Sequence, residues 1–264
     1  MKKNLEKDKF FKTYPYIEEL MSENNIDFKD LEEIYIDYIS YKISYENQAN
    51  FIANILRSQD MVHSVKSRIK NPERLIEKVI RKTPDRKEKY NNDFKFDVNN
   101  YKDEINDLIG IRVIHIFKDQ WQQIHEFIMR TWKVIEVTAN VREGDDTRVF
   151  NELGIEVRSR ISGYRSVHYL VEFYPTNQKV IAEIQVRTIF EEGYGEIDHR
   201  LRYSHNEIPE ILKSNLLLFN RIVGSADEMA SLINSLSKDW SKKEASYKDI
   251  IHKQQLEIER LSKK

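Results

Sequence analysis

Residues 166–188, "SVHYLVEFYPTNQKVIAEIQVRT", contain two runs in which apolar and polar side chains alternate. Successive side chains of a β-strand point to opposite faces of the sheet, so each run predicts a strand with one apolar face. The two runs predict an antiparallel pair joined at "YPTNQK" (174–179). The apolar positions are Val167, Tyr169, Val171, Phe173, Ala182, Ile184 and Val186.

The opposite faces of these two predicted strands carry polar side chains. Ser166 and His168 lie on the first strand, and Glu183, Gln185 and Arg187 lie on the second. If the apolar faces join the core, the sequence predicts a polar shelf that combines a carboxylate, an amide, a guanidinium and an imidazole. A solvated sheet face is equally compatible with the pattern, because antiparallel sheets commonly turn one face to water.

Outward from this pair, the chain mixes helices and strands. "LIGIRVIHIF" (108–117) and "KVIEVTA" (133–139) predict strands on either side of a helix in "KDQWQQIHEFIMRTW" (118–132), and "IFEEGYGEIDHRLRY" (189–203) predicts another helix. "NPERLIEKVIRKT" predicts a helix with Asn71 as its N-cap and Pro72 at its first position. The polar segments 83–100 and 139–154 predict loops. Residues 1–65 and 206–264 predict helical extensions around a mixed region, 66–205.

The composition excludes several classes of protein. The 264-residue chain has a formal net charge of −1, which argues against a protein that is basic all over but allows local basic clusters. No cysteine is present, which excludes disulfides, thiolate zinc sites and thiol nucleophiles. The first residues lack the apolar run of a signal peptide, and no run reaches the roughly 20 apolar residues that span a bilayer. We therefore expect a cytoplasmic protein without a membrane segment.

Charged residues outside the shelf suggest a site for phosphates and a divalent cation. Asp107 precedes a predicted strand, and with Glu183 it offers the two carboxylates that suit Mg²⁺ bound together with substrate phosphates. Residues 66–89 contain ten basic and four acidic residues, and the sequence predicts a helix whose entry holds Arg68, Lys70 and Arg74, where they could bind a polyphosphate. Charge runs are more often solvated faces.

A second basic cluster surrounds an aromatic residue. Arg158, Arg160 and Arg165 bracket Tyr164, a position that suits stacking on a flat base, although a turn aromatic folded onto the core would show the same pattern. P-loop and dinucleotide-binding glycine patterns are absent from the sequence.

Five runs within 66–205 carry further information as an ordered set. They are "RIKNPERLIEKV" (68–79), "DLIGIRV" (107–113), "GYRSVHYLVEF" (163–173), "AEIQVRT" (182–188) and "GYGEIDHRLRY" (193–203). In this order they resemble the synthetase domain of the RelA/SpoT family, the alarmone synthetases. The resemblance implies an α+β fold related to nucleotidyltransferases, with a mixed, mostly antiparallel β-sheet flanked by helices. It also implies transfer of the β,γ-pyrophosphate of ATP to the ribose 3′-hydroxyl of GDP or GTP.

The resemblance implies a role for each candidate site residue. Asp107 and Glu183 correspond to the magnesium ligands, and Glu183 with Gln185 beside it orients or deprotonates the attacking hydroxyl. Tyr164 corresponds to the tyrosine that stacks on the acceptor guanine, and His168 to the histidine that supports the acceptor site. Arg68 and Lys70 correspond to the residues that hold the ATP phosphates, and Arg160 to a basic residue ahead of the turn. The two basic clusters add further nucleotide-binding candidates, which are Arg74, Lys78, Arg158 and Arg165.

The sequence also differs from the family pattern. Asn71 and Arg74 replace two serines, the turn reads "RISGYR", and Tyr194 and Asp198 stand where tryptophan and glutamate are usual. The first 62 residues contain no histidine, so we do not expect the hydrolase domain of long family members.

Alternatives of function and partner remain open at this point. The acceptor is GMP, GDP, GTP or, as in toxin-type relatives, the 3′ end of tRNA. A nucleotide- or RNA-binding module without catalysis is the alternative of a different class. The terminal helices predict a homo-oligomer interface, a clamp over the site, a docking surface or a simple packed cap.

Overall fold

The computed structural model describes residues 4–175, 179–204 and 208–262, without the side chains of 202–204. The helices are α1 (Lys7–Thr13), α2 (Ile17–Glu23), α3 (Phe28–Arg57), α4 (Pro72–Lys89), α5 (Tyr101–Glu104), α6 (Gln120–Thr131), α7 (Arg148–Glu152), α8 (Ile189–Ser204) and α9 (Glu210–Ser262). The strands are β1 (Ser64–Ile69), β2 (Ile109–His115), β3 (Lys133–Val141), β4 (Glu156–Ser159), β5 (Ser166–Phe173) and β6 (Val180–Thr188).

The strands form one six-stranded sheet in the order β1-β2-β6-β5-β3-β4. Three neighbouring pairs are antiparallel, β1 with β2, β3 with β5 and β5 with β6. Two pairs are parallel, β2 with β6 and β3 with β4. The predicted α+β class with a mixed, mostly antiparallel sheet is confirmed, and so is the pairing of β5 with β6. Residues 176–178 of the turn between these two strands lie outside the described residues.

Helix α3 packs against the β1 edge of the sheet. Asp27 caps its amino terminus by accepting a hydrogen bond from the backbone N–H of Lys29 at 3.0 Å. Its buried side chains recur every three or four residues, the spacing of one helix face, and include Leu31, Ile34, Tyr38, Tyr45, Ile52 and Leu56. These side chains and the apolar face of the sheet belong to one hydrophobic cluster. The amino-terminal helices are therefore part of the core that holds the polar shelf in place.

Helix α9 is docked only along its first part. Leu216, Asn220, Val223, Gly224 and Asp227 are buried, whereas residues 235–262 are exposed. Leu216 and Val223 form a small apolar cluster with Tyr194 of α8. No helix in the described part of the chain combines the length and apolar character needed to cross a membrane.

The sequence-based boundaries were wrong at four places. The amino-terminal helical region ends at Arg57, and Arg68 lies in strand β1 rather than at the start of a helix. The predicted loop 83–100 begins later, because α4 continues through Pro84 to Lys89. Its buried Val79 and Ile80 keep the helix on the core although a proline removes one backbone donor.

The other two differences concern the predicted loop 139–154 and the chain after it. Strand β3 extends to Val141, and α7 occupies residues 148–152. The short strand β4 was not predicted. The helices at 118–132, 189–203 and from residue 209 onward are confirmed, as is the cap of α4, where Asn71 Oδ1 accepts from the backbone N–H of Arg74 at 3.1 Å. The division at residues 65 and 205 stays a prediction.

Candidate active site

The predicted polar shelf exists and is continuous across the sheet. Glu183 lies in register between Gly110 of β2 and Leu170 of β5, and Gln185 lies in register between Arg112 and His168. One face of β2, β6 and β5 therefore presents the carboxylate, the amide, the guanidinium and the imidazole together.

Four shelf residues and Tyr164 form a closed circuit of contacts. Arg187 Nη2 donates to Gln185 Oε1 at 2.6 Å, and Gln185 Nε2 donates to Glu183 Oε2 at 2.7 Å. His168 Nδ1 lies 3.1 Å from Glu183 Oε1, and His168 Nε2 lies 3.1 Å from the Tyr164 hydroxyl. The guanidinium of Arg187 lies 5.3 Å from the centre of the Tyr164 ring, and this cation–π contact closes the circuit. The Tyr164 ring is half-buried, outside the apolar core.

The circuit controls the protonation of Glu183. Burial alone would raise the pKa of this carboxyl, but hydrogen bonds from His168 and Gln185 outweigh burial and hold the pKa below its ordinary value. Glu183 is therefore ionised near neutral pH. An ionised carboxylate only accepts hydrogen bonds, so Nδ1 of His168 carries a proton.

Asp107 lies at the start of β2 between two lysines. Its Oδ2 is 2.6 Å from Lys70 Nζ and its Oδ1 is 2.9 Å from Lys78 Nζ. Burial opposes ionisation, but the two ammonium groups hold the pKa of Asp107 below its ordinary value. Burial also lowers the pKa of Lys70. The hydroxyl of Tyr38 donates to the Lys70 carbonyl at 2.7 Å, so α3 fixes the backbone of this lysine.

Two clefts meet at Asp107 and Lys78, which line both of them. The Tyr164 cleft has a volume of about 610 Å³ and is lined by Arg68, Lys70, Arg74, Lys78, Arg81, Asp107, Arg112, Tyr164, Gln185, Arg187 and His199, among others. The His168 cleft has a volume of about 290 Å³ and is lined by Lys78, Lys82, Arg86, Asn106, Asp107, Asn140, Arg158, Arg160, His168 and Glu183, among others.

Each cleft contains a guanidinium that no carboxylate of the described residues neutralises. In the Tyr164 cleft it is Arg68, whose side chain crosses Gly110 so closely that a Cβ there would lie 3.2 Å from Nε. In the His168 cleft it is Arg160, whose Nε donates to the amide oxygen of Asn140 at 2.6 Å. Both groups are available to an anionic ligand.

The remaining predicted binding residues lie in three different surroundings. Arg74 is in the first turn of α4 and lines the Tyr164 cleft. Arg158 lines the His168 cleft and pairs with Glu156 and Glu136. Arg165 lines neither cleft, because its guanidinium binds Asp145 at 2.6 Å. The structure thus brings all the predicted site residues except Arg165 to the two clefts.

The donor set around Asp107 and Glu183 fits a divalent cation shared with a substrate. Both carboxylates line the His168 cleft, and the negative charge of Asp107 acts on Glu183. Asn106 Oδ1, buried in the same cleft, has no hydrogen-bond partner among the described residues. In the described part of the chain no three histidine or acidic side chains form a metal cluster. Two carboxylates and an amide oxygen suit Mg²⁺, which completes its shell with phosphate oxygens and water.

Several residues of the site were missed from the sequence. Arg112 is the single charged side chain within the apolar strand β2, and this isolation was the available signal, because a buried charge requires a partner. Its partners are Glu196 and Glu192. Glu192 is only 7% exposed and lies 3.3 Å from both Arg112 and Arg187. Asn106 and Asn140 carried no such signal.

The chain is similar to known proteins over most of its length. A family model described as "Region found in RelA / SpoT proteins" matches residues 67–208, more than half of the chain. The sequence is 26% identical over 181 residues to GTP pyrophosphokinase YwaC of Bacillus subtilis (strain 168), a match that covers 66% of this chain and 75% of that protein.

Solved structures share the fold of this chain. The crystal structure of the small alarmone synthetase 1 from Bacillus subtilis matches with a TM-score of 0.58 and 20% identity, covering 76% of this chain and 98% of that one. A crystal structure of that synthetase bound to its product pppGpp matches with a TM-score of 0.58 and 19% identity, over the same shares. At this identity the likeness establishes a shared fold.

Proposed function

Because the chain belongs to the RelA/SpoT family, we propose that it is a pyrophosphokinase that transfers the β,γ-pyrophosphate of ATP to the ribose 3′-hydroxyl of GDP or GTP. Its relative YwaC is named as a GTP pyrophosphokinase, and a synthetase of the same fold has been crystallised with pppGpp as its product. The reaction class is phosphoryl-type transfer, in which positioning and charge neutralisation supply most of the catalysis.

The observation that carries the proposal is the meeting of two basic clefts at one pair of carboxylates. Arg68 lies in one cleft and Arg160 in the other, both without a carboxylate partner among the described residues, and Asp107 lines both clefts. A transfer between two nucleotides requires this arrangement, because two polyphosphates must approach each other at a single reacting centre.

Different residues bind the donor ATP and the acceptor nucleotide in this proposal. We assign the ATP phosphates to Arg68, Lys70, Arg74 and Lys78 in the Tyr164 cleft. We assign the acceptor phosphates to Arg158 and Arg160, with the guanine on the Tyr164 ring. The hydrogen bond from Tyr164 to His168 joins the two clefts, so the ribose of the acceptor comes to lie beside Glu183.

In the reaction, the acceptor 3′-oxygen forms a bond to the β-phosphorus of ATP. The bond between that phosphorus and the oxygen bridging to the α-phosphorus breaks, and AMP leaves with the electron pair. The hydroxyl proton passes to Glu183, whose lowered pKa keeps it ionised and able to accept. His168 and Gln185 hold the two carboxylate oxygens in place by hydrogen bonds.

A divalent cation, Mg²⁺ in this proposal, would be held by Asp107 and Glu183 and would neutralise charge on the transferred phosphates. Lys70 and Lys78 keep Asp107 ionised in the protein alone, so the carboxylate is ready as a ligand.

The test offers GMP, GDP, GTP and tRNA separately to the purified protein with ATP and Mg²⁺, and identifies the products by mass spectrometry. We expect AMP and a 3′-pyrophosphorylated guanosine nucleotide, with the product absent when Mg²⁺ is removed by a chelator. The conservative variants Glu183→Gln and Asp107→Asn should each lose at least about 100-fold in kcat.

The matched control is Glu210→Gln, because Glu210 is exposed on α9 and pairs only with Lys213 among the described residues. Label from γ-phosphate-labelled ATP that appears on tRNA, with none on any guanosine nucleotide, would replace the proposed acceptor. Guanine-nucleotide binding without turnover under any divalent metal would instead indicate the binding module.

A further inference from the structure

Helix α9 holds the turn that carries Tyr164 through one buried side chain. Asn220 is 1% exposed. Its Nδ2 donates to the carbonyl of Gly163 at 2.9 Å, and its Oδ1 accepts from Arg165 Nη1 at 3.2 Å. A single amide therefore binds the residue before Tyr164 and the residue after it.

The fit between α9 and this turn is close. Gly163 has φ +74°, and a Cβ at this position would lie 2.8 Å from the side-chain amide of Asn220. One helical turn further along α9, a Cβ on Gly224 would lie 3.1 Å from Arg165 Nη2. Glycine at both positions lets the helix approach the turn closely enough for the Asn220 hydrogen bonds.

Other contacts of α9 to the same side of the protein are also polar. Thr188 Oγ1 donates to Asp227 Oδ2 at 3.1 Å, and the backbone N–H of Lys118 donates to Ser231 Oγ at 3.0 Å. In contrast, Leu218 and Ile222 of α9 are more than half exposed. Docking of this part of α9 thus combines the small apolar cluster of Leu216 and Val223 with specific hydrogen bonds, which weaken steeply when their geometry is disturbed.

We propose that Asn220 is a positioning residue for the acceptor nucleotide, acting through the Gly163–Arg165 turn on the ring of Tyr164. This inference rests on the proposed function, because it takes Tyr164 as the surface for the acceptor base. Asn220 lies beyond residue 208, where the family match ends, so the site extends into a helix outside that match.

The ring of Tyr164 and its turn are held from two sides. Arg187 and His168 contact Tyr164 from the sheet, and Asn220 holds the backbone from α9. Without the Asn220 donor, the turn loses its hydrogen bond to α9 and becomes more mobile, and the acceptor must order it on binding. That ordering weakens acceptor binding and leaves the ATP residues Arg68 and Lys70 unaffected.

The test compares Asn220→Ala and Asn220→Asp with the control Asn215→Ala. Asn215 is exposed on the same helix, and within the described part of the chain its amide donates only to the carbonyl of Ile211. Asn220→Asp keeps an acceptor for Arg165 and loses the donor to Gly163. It therefore isolates the bond to the turn if the alanine variant does not fold.

Two measurements are made on each variant. Hydrogen exchange of the peptide spanning residues 161–166 is followed without nucleotide. The KM of the acceptor, the KM of ATP and kcat are determined separately, and acceptor binding to the free protein is measured by calorimetry with GDP.

For both Asn220 variants we expect faster exchange in this peptide and a roughly tenfold weaker acceptor, which corresponds to about 1.4 kcal/mol. The KM of ATP should be unchanged, and Asn215→Ala should match the wild type. Unchanged exchange, or an equal loss for both substrates, would overturn the inference. Failure of the proposed function is distinct, because the wild type would then form no product with any acceptor.

Discussion

The imidazole of His168 lies 3.1 Å from the Glu183 carboxylate through Nδ1, and its other nitrogen lies 3.1 Å from the Tyr164 hydroxyl. The group that we assign to the attacking hydroxyl and the ring that we assign to the base therefore share one histidine. Because this histidine is fixed at both ends, a shift of the ring is transmitted to the carboxylate.

We predict that His168→Ala lowers kcat roughly 100-fold and moves the acid limb of the pH–rate profile to higher pH. The hydrogen bond from His168 opposes the effect of burial on Glu183, so its removal raises the pKa of this carboxyl. A base with a raised pKa loses its proton-accepting form at a higher pH. The measurement is kcat against pH, with His252→Ala on the exposed part of α9 as the control. An acid limb at the wild-type position would contradict the assignment.

We predict that Arg68 and Arg160, the two arginines without a carboxylate partner among the described residues, each affect a different substrate. Arg68→Ala should raise the KM of ATP, and Arg160→Ala should raise the KM of the acceptor, each roughly tenfold or more, because each removes a charge-assisted contact to phosphate. Steady-state kinetics with one substrate varied at a time separates the two. Arg148→Ala serves as control, since Arg148 is exposed and pairs with Asp146. Both variants affecting the same substrate would refute the division of the clefts.

We predict that Glu192→Gln destabilises the protein by about 3 kcal/mol, because it leaves the buried guanidinium of Arg187 without its carboxylate partner, whereas Arg112 keeps Glu196. Arg187 is 3% exposed, so its guanidinium has little access to water. Urea unfolding measures the loss, and Glu210→Gln on exposed α9 should leave the free energy of unfolding unchanged. Equal stability of the two variants would show that Glu192 is not the counter-charge.

The shelf was predictable from sequence because the period-two pattern fixes which side chains share a face. Once β5 and β6 pair, His168, Glu183 and Gln185 can lie nowhere else. Strand β1 was missed because "SVKSRI" is an edge strand whose inward face carries Ser67 between Val65 and Ile69, which leaves only two apolar positions to mark the alternation. An edge strand needs only one pairing partner and one covered face, so its sequence carries a weak signal.

Other contacts of the site could not be predicted because the paired residues are far apart in the sequence. Asn220 binds Gly163 across 57 residues, and Glu192 pairs with Arg112 across 80. Local periodicity contains no information about such pairs. The charges in the sequence make basic clefts expected. The contributions of α8, through Glu192, and of α9, through Asn220, are visible only in the folded structure.

We predict that Asp227 makes stability depend on pH. Burial next to Glu191 raises the pKa of this carboxyl to about 7, although Lys118 and Arg165 act in the other direction. A group whose pKa is raised by folding contributes stability below its ordinary pKa, and the contribution is lost as pH rises through about 7. The free energy of unfolding of Asp227→Asn, relative to that of the wild type, should therefore increase by about 3 kcal/mol between about pH 5 and about pH 8. A difference in unfolding free energy between the two proteins that does not change with pH would contradict this.

The close approach of α9 to the tyrosine turn can be measured with two glycines. Gly163 and Gly144 have φ of +74° and +87°, so alanine is strained at both by about 1 kcal/mol. At Gly144 a Cβ meets nothing within 4 Å, whereas at Gly163 it lies 2.8 Å from Asn220. We predict that Gly163→Ala destabilises the protein by about 2 kcal/mol more than Gly144→Ala, because the Asn220 amide must move. Urea unfolding of both variants gives this difference.

In the Asn220→Ala background the extra destabilisation should disappear, since the group that blocks the new methyl is gone. Persistence of the full difference there would place the strain elsewhere in the turn.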